Sequence, residues 1–357
     1  MTTNHNLADE SSSRWPELAA CLQNEYNVHP VQITQLELGA DPYTTVFRVV
    51  DTEATAYFLK LRSADFNLAT VAVPRWLADQ SIAQIIAPIP CTDGRLFGQA
   101  GASAAILYPF VEGSDGFTVP LQDQHWVQLG QALRSIHAAA VPAELAAHIP
   151  REDYSPAWRV KVREYLAGID EAQPGTPAAA GNDAAGDVAG DVAGDAAGAA
   201  LRSFLRDRHA EIVDLVTQAE QLASTVQGLP QELVLCHADI HVGNVLIGAG
   251  GDFHIVDWDT VKFAPREHDL MFLGAGIASV WNPHEAELFY KGYGACTVDP
   301  HLLAYYRFER IVQDIAVDSV QLLASADDQE RAGILQQLQG QFAPDGPIEN
   351  AWRSLPG

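Results

Sequence analysis

The chain has 357 residues, of which 48% are hydrophobic and 19% charged, and its formal net charge is −25. That length supports two domains or two lobes, each with its own core, and no run reaches the roughly 18 apolar residues of a membrane span. The acidic balance makes nucleic acid a poor partner, since phosphates need a basic footprint; it favours a cationic small molecule, the alternative being a surface that only confers solubility. Cys21, Cys91, Cys236 and Cys296 are scattered without CxxC spacing, and the N-terminus lacks the basic start and apolar core of a secretory signal. Reduced thiols and a cytoplasmic location are expected.

In chain order, the first third reads as β-rich. Residues 31–38 are apolar at alternate positions and run into Gly39-Ala40-Asp41-Pro42; 45–50 and 56–61 follow, parted by the turn-prone Asp51-Thr52-Glu53. This pattern predicts three antiparallel strands. A helix is expected over 67–80 in spite of Pro74, and further strands over 85–89 and 104–111. Beyond residue 112 the spacing is helical: Trp126, Leu129, Leu133 and Ile136 form a stripe within 123–139, and 157–169, 201–226, 283–292 and 300–324 read similarly. Residues 173–200 repeat Gly-Asp-Val-Ala-Gly with almost no large apolar side chain, the composition of a flexible loop between two helices. A calcium-binding repeat would need regular nonapeptide spacing, which is missing.

One island of strands and polar turns interrupts the helical part, over 233–262. It contains His237-Ala238-Asp239-Ile240-His241-Val242-Gly243-Asn244 and then Ile255-Val256-Asp257-Trp258-Asp259. Three chemistries compete for it. On an extended segment His237, Asp239 and His241 project to one face, which suits zinc and a hydrolase. Phosphoryl transfer instead needs an aspartate for the attacking hydroxyl, an asparagine and a second aspartate for magnesium, and a lysine for nucleotide phosphates. Asp239, Asn244, Asp257 and Lys60 supply those parts, Lys60 lying on a predicted strand. The third reading is a satisfied internal polar network.

His-x-Asp-x-x-x-x-Asn followed by Ile-Val-Asp-Trp-Asp resembles the catalytic and metal segments of the aminoglycoside phosphotransferase family, a branch of the protein-kinase-like fold. Residues 108–111, 154–159, 264–274, 280–282 and 305–317 are similar to the branch that phosphorylates spectinomycin. The resemblance implies an α+β, bilobal protein-kinase-like fold. Its parts would be a small antiparallel β-rich lobe over 1–107, a hinge at 108–112 and a larger, mainly helical lobe over 113–357. It further implies an ATP-dependent kinase using Mg2+ and acting on a hydroxyl of spectinomycin, with another aminoglycoside or a metabolic alcohol such as choline, homoserine or methylthioribose as the alternative acceptor.

By the same resemblance, Gly39, Asp41 and Thr44 belong to the turn over the phosphates and Lys60 contacts them, while Pro109, Phe110 and Val111 offer backbone groups to adenine. Asp239 would be the base or orienter, and Asn244 and Asp257 the magnesium ligands. His237 would support structure. Trp281, Asn282, Tyr306, Glu309 and Asp314 are candidates for the acceptor site, Asp314 and Asp318 facing alike at i, i+4. One departure stands out: kinase-like folds pair the strand lysine with a helix glutamate, yet residues 63–80 contain only Asp65 and Asp79 as acids.

Overall fold

The structure, a computed structural model, describes residues 7–36, 44–63, 66–171, 196–273 and 282–356. Gly39, Asp41, Asp65, Trp281 and 173–195 lie outside the described residues, while 196–200, which the sequence places in the flexible loop, are the first turn of a helix. In chain order the elements are α1 (Leu7–Tyr26), β1 (Pro30–Leu36), β2 (Thr45–Asp51), β3 (Ala56–Ser63), α2 (Ala69–Asp79), β4 (Gly98–Ala100), β5 (Ser103–Pro109) and β6 (Gly113–Asp115). They continue with α3 (Asp123–His137), α4 (Ala143–Ala146), α5 (Ala157–Glu171), α6 (Ala196–Asp207), α7 (His209–Gln227), β7 (Val234–Cys236), β8 (Val245–Gly248), β9 (Phe253–Ile255) and β10 (Lys262–Ala264). Five helices close the chain: α8 (Glu267–Leu270), α9 (Pro283–Tyr293), α10 (Pro300–Ala324), α11 (Asp328–Gln341) and α12 (Pro347–Arg353).

These elements gather into two compact units, one of Met1–His125, Ala132–Pro150 and His237–Lys262, the other of Trp126–Gln131, Arg151–Cys236 and Phe263–Gly357. Residues 237–262 of the polar island thus belong to the sheet-bearing unit, and 233–236 to the other.

In the first unit a five-stranded sheet has the order β1-β2-β3-β5-β4, with every pairing antiparallel. Strand alternation decides which side chains meet. Phe47 and Val49 of β2, Leu59 and Leu61 of β3, and Ala105 and Leu107 of β5 face one side, where Leu18, Leu22 and Tyr26 of α1 close the core. The Tyr26 hydroxyl fixes that helix by donating to the Ala105 carbonyl at 2.6 Å. Lys60, between Leu59 and Leu61, consequently projects from the opposite face, in register with Val46 and Ile106. α2 continues through Pro74, because Val71, Val73, Pro74 and Leu77 are all buried and this packing outweighs the missing N–H. Segment 85–89 is not a strand; Ile85 makes a single parallel bridge to Ile255. A second sheet, β6-β8-β9, completes the unit.

The second unit is built around α10, which packs against α5, α7, α11 and α12 and buries Tyr305, Phe308, Ile311, Val312 and Ile315. Proline at the first turn and a capping side chain define the starts of α9 and α10. The single helix predicted over 201–226 is two, α6 and α7, divided at Arg208.

Candidate active site

The loop after β7 is held by its histidines. His237 is fully buried; its Nε2 lies 2.9 Å from the Val256 carbonyl and its Nδ1 accepts from the Asp239 N–H at 3.3 Å. Both ring nitrogens are thus occupied, which removes His237 from any zinc cage and with it the hydrolase reading of the His-Asp-His set. Trp258 packs on the imidazole at 4.7 Å between ring centroids, and the Thr260 hydroxyl donates to the His237 carbonyl at 2.9 Å. His241 caps the short 3-10 turn Val242–Asn244 by accepting from the Gly243 N–H at 3.1 Å. Its Nε2 lies 3.6 Å from Asp239 Oδ2.

Asn244 and Asp257 sit at one end of the β8–β9 hairpin, whose register pairs Val245 with Ile255. The Val256 N–H donates to the Asn244 carbonyl at 3.0 Å, tying the two segments together. The Asn244 amide donates to the Asp239 carbonyl at 2.8 Å and reaches Asp239 Oδ2 at 3.4 Å. That orientation leaves the Asn244 Oδ1 lone pairs without a protein donor among the described residues. Ala238 and Asp257 both adopt positive φ, 68° and 63°, a costly conformation for a residue with a Cβ. The strain aims the Asp239 and Asp257 carboxylates rather than letting the chain continue as strand.

Lys60 comes to this turn from β3. Its Nζ is 2.7 Å from Asp259 Oδ2 and 3.4 Å from Asp257 Oδ1, and Arg62 Nη1 is 2.6 Å from Asp259 Oδ1. Asp257 remains half exposed, its side chain at 50% against 26% for Asp259. Burial pushes the Asp259 carboxyl up, against the pull of Lys60 and Arg62. Burial, aided by the negative charges of Asp259 and Asp257, also raises the Tyr108 phenol. The missing helix glutamate is therefore not replaced by the helix acid Asp79, which pairs with Arg75; Asp259 takes the lysine.

Pro109 ends β5, the Phe110 N–H donates to the Ala56 carbonyl at 3.2 Å, and Arg48 lies over the Phe110 ring at 5.0 Å. Val111 makes no backbone hydrogen bond among the described residues, so its N–H and C=O are open. Thr44 lies just before β2. In the second unit, Asn282 is the N-cap of α9, accepting from the His284 N–H at 3.2 Å. Tyr306 is buried, with its hydroxyl 3.4 Å from Glu152 Oε2. Glu309 pairs with the buried Arg159 at 3.1 Å, and Asp314 pairs with Arg310 at 2.7 Å and Gln341 at 3.3 Å. Asn282, Tyr306, Glu309 and Asp314, the acceptor-site candidates, thus each have a protein partner in the structure.

Two residues escaped the sequence reading. Arg62 was legible, since two residues along a strand from Lys60 is the same face. Phe117 was not: it stacks on His241 at 5.6 Å and 24° while staying 53% exposed. The loop bearing it is fastened by the Gly116 N–H to the Val242 carbonyl at 3.0 Å, a contact between distant stretches of chain that no local pattern announces.

Residues 32–306 match the model of the phosphotransferase enzyme family. Spectinomycin phosphotransferase APH(9)-Ia, solved with ADP and spectinomycin, is 34% identical and superposes with a TM-score of 0.81, covering 95% of this chain and 98% of that one. Its AMP-bound form gives 0.78 at 34% identity, covering 94% of this chain and 98% of that one. Protein StrN of Streptomyces griseus is 26% identical over 193 residues, which span 54% of this chain and 55% of that protein, so the match covers little more than half of this curated relative. The chain belongs to the phosphotransferase enzyme family and has its kinase-like α+β fold.

Proposed function

We propose that the protein is an ATP-dependent kinase that transfers the γ-phosphoryl group to a hydroxyl of spectinomycin. The observation that carries the reading is the convergence, within one compact unit, of Lys60, Asp239, Asn244 and Asp257 from separate stretches of chain. The 34% identity to a spectinomycin phosphotransferase over 95% of the chain supports the acceptor, and the net charge of −25 suits a cationic one.

The donor set fits magnesium, a hard cation that takes oxygen ligands. Asn244 Oδ1 and the second oxygen of Asp257 are uncommitted carboxamide and carboxylate oxygens on one hairpin end, and they would hold the ion. Once bound, it would neutralise charge on the transferring phosphates. Lys60 contacts the same phosphates, and the open backbone groups of Val111 read the adenine edge. Asp239 orients the acceptor hydroxyl and takes its proton as the new O–P bond forms and the bond to the bridging oxygen of ADP breaks. Positioning dominates, because the transition state is largely dissociative. Dependence on ATP implies action in the cytoplasm, and no described helix is long and apolar enough to cross a membrane.

The test is ATP consumption over spectinomycin, other aminoglycosides and simple metabolic alcohols, with the unaltered chain and Asp239→Ala. Spectinomycin is expected to give turnover that Asp239→Ala lowers by about 10²-fold or more. Asp239-dependent turnover of a different alcohol, with none of spectinomycin, would refute the acceptor while leaving the phosphotransfer chemistry standing.

A further inference from the structure

Lys60 sits on a row with the buried Val46 and Ile106, where an ammonium needs a counter-charge and a fixed direction. The helix that follows it cannot give one: the only acid of α2 is Asp79, which is spent on Arg75. Instead α2 packs its apolar side against the turn Trp258–Thr260, so the helix steadies a turn and the turn carries the acid. Asp259 Oδ2 takes Lys60 at 2.7 Å while Oδ1 takes Arg62 at 2.6 Å. Both cations leave the same face of β3, two residues apart, and one carboxylate bridges them.

Asp257 and Asp259 are therefore not equivalent, although two residues apart on one turn. Each Asp259 oxygen already carries a cation, so a divalent ion would have to share an oxygen with Lys60 or Arg62 against their charge. Asp257 meets Lys60 only at 3.4 Å, through one oxygen, and its other oxygen has no partner among the described residues.

We propose that Asp259 is the positioning residue for Lys60: with Arg62 as its second anchor it fixes the direction of the ammonium toward the nucleotide phosphates, and it does not bind the metal. This rests on the phosphotransfer reading above. It places the aim of the lysine and the metal-binding carboxylate on one turn, so that the lysine does not depend on a helix moving in to complete it.

The experiment is a double-mutant cycle of Lys60→Gln and Asp259→Asn on the full chain, read by ADP affinity with magnesium and without acceptor, and by the KM for ATP. Each single variant is expected to raise the ATP KM by about tenfold, and the double variant to stay within about twofold of Lys60→Gln, because Asp259 acts through Lys60. Asp259→Glu should fall between wild type and Asp259→Asn, and if Asp259→Asn fails to fold it serves in the same cycle. The magnesium midpoint should shift for Asp257→Asn and not for Asp259→Asn. Losses that multiply, or a magnesium midpoint that moves with Asp259, overturn the proposal. A wild-type chain that binds no ADP overturns the phosphotransfer reading and this proposal together, whereas ADP binding with multiplying losses overturns this proposal alone.

Discussion

Asp318 is an acid kept where water cannot reach it. It is 4% exposed on α10, accepts a hydrogen bond from Gln337 of α11 at 3.2 Å, and its Oδ2 has no partner among the described residues. Burial and the neighbouring Asp314 charge push its carboxyl from the ordinary 3.8 up to about 7, with Arg310 and Gln337 opposing. Between those pH values the folded chain holds a proton that the unfolded chain has released, so stability falls as pH rises. Each pH unit costs about 1.4 kcal/mol. Over about three units the loss approaches 4 kcal/mol, complete near pH 7 and constant above it. Asp318→Asn keeps the shape and the acceptor for Gln337 but cannot ionise. Chemical denaturation of both proteins from pH 4 to 8 should give a stability difference that moves in favour of the Asp318→Asn variant by roughly 2–4 kcal/mol and levels off near pH 7. A difference independent of pH, or one that grows only above pH 8, would refute the argument that this carboxylate is strained by burial.

Two further outcomes follow from the packing around these groups. Glu309→Gln strips the counter-charge from buried Arg159 and should cost about 3–5 kcal/mol, read as a lowered denaturation midpoint; if the acceptor KM rises instead with stability intact, Glu309 does face the acceptor. Gly243→Ala would set a Cβ 2.4 Å from the Phe117 ring and 2.8 Å from His241, an overlap worth about 1–3 kcal/mol that falls on the turn carrying Asn244. Its turnover should drop, and adding Phe117→Ala should restore part of it; a double variant no better than Gly243→Ala would place the clash elsewhere.

The parts of the fold written in local periodicity were readable. The segments 45–50 and 56–61, parted by a turn-prone stretch, matched β2 and β3 to within two residues, and the helical spacing over 300–324 matched α10, whose aspartate cap the structure adds. Helix α1 was missed because its packing side appears only when the sheet is present, with Leu18 and Leu22 against Phe47 and Leu59. α11 was missed for a related reason. Of its side chains only Leu338 and Gln341 are buried, so no apolar stripe marks it; Gln337 and Gln341 bind carboxylates of α10 instead. At the site, residue types and spacing picked out Lys60, Asp239, Asn244 and Asp257 as a set. They also pointed to a structural role for the histidines, but not to the ring-nitrogen contacts that fasten the loop, nor to a lysine partner on the turn rather than on the helix beside it.

The Lys60–Asp259 contact spans 199 residues of chain, and that separation has a consequence at the ribosome. All five strands of the sheet are encoded before residue 110, so the sheet can form early while the lysine on it still has no acid to meet. At about 5–20 residues per second, roughly 8–30 s of synthesis pass between the last strand of the sheet and Asp259. During that interval the nascent chain carries an unpaired ammonium on a row meant to be half-buried, and a nucleotide has nothing assembled to bind. Completion of this site is thus a late event, timed by translation of the turn that follows β9.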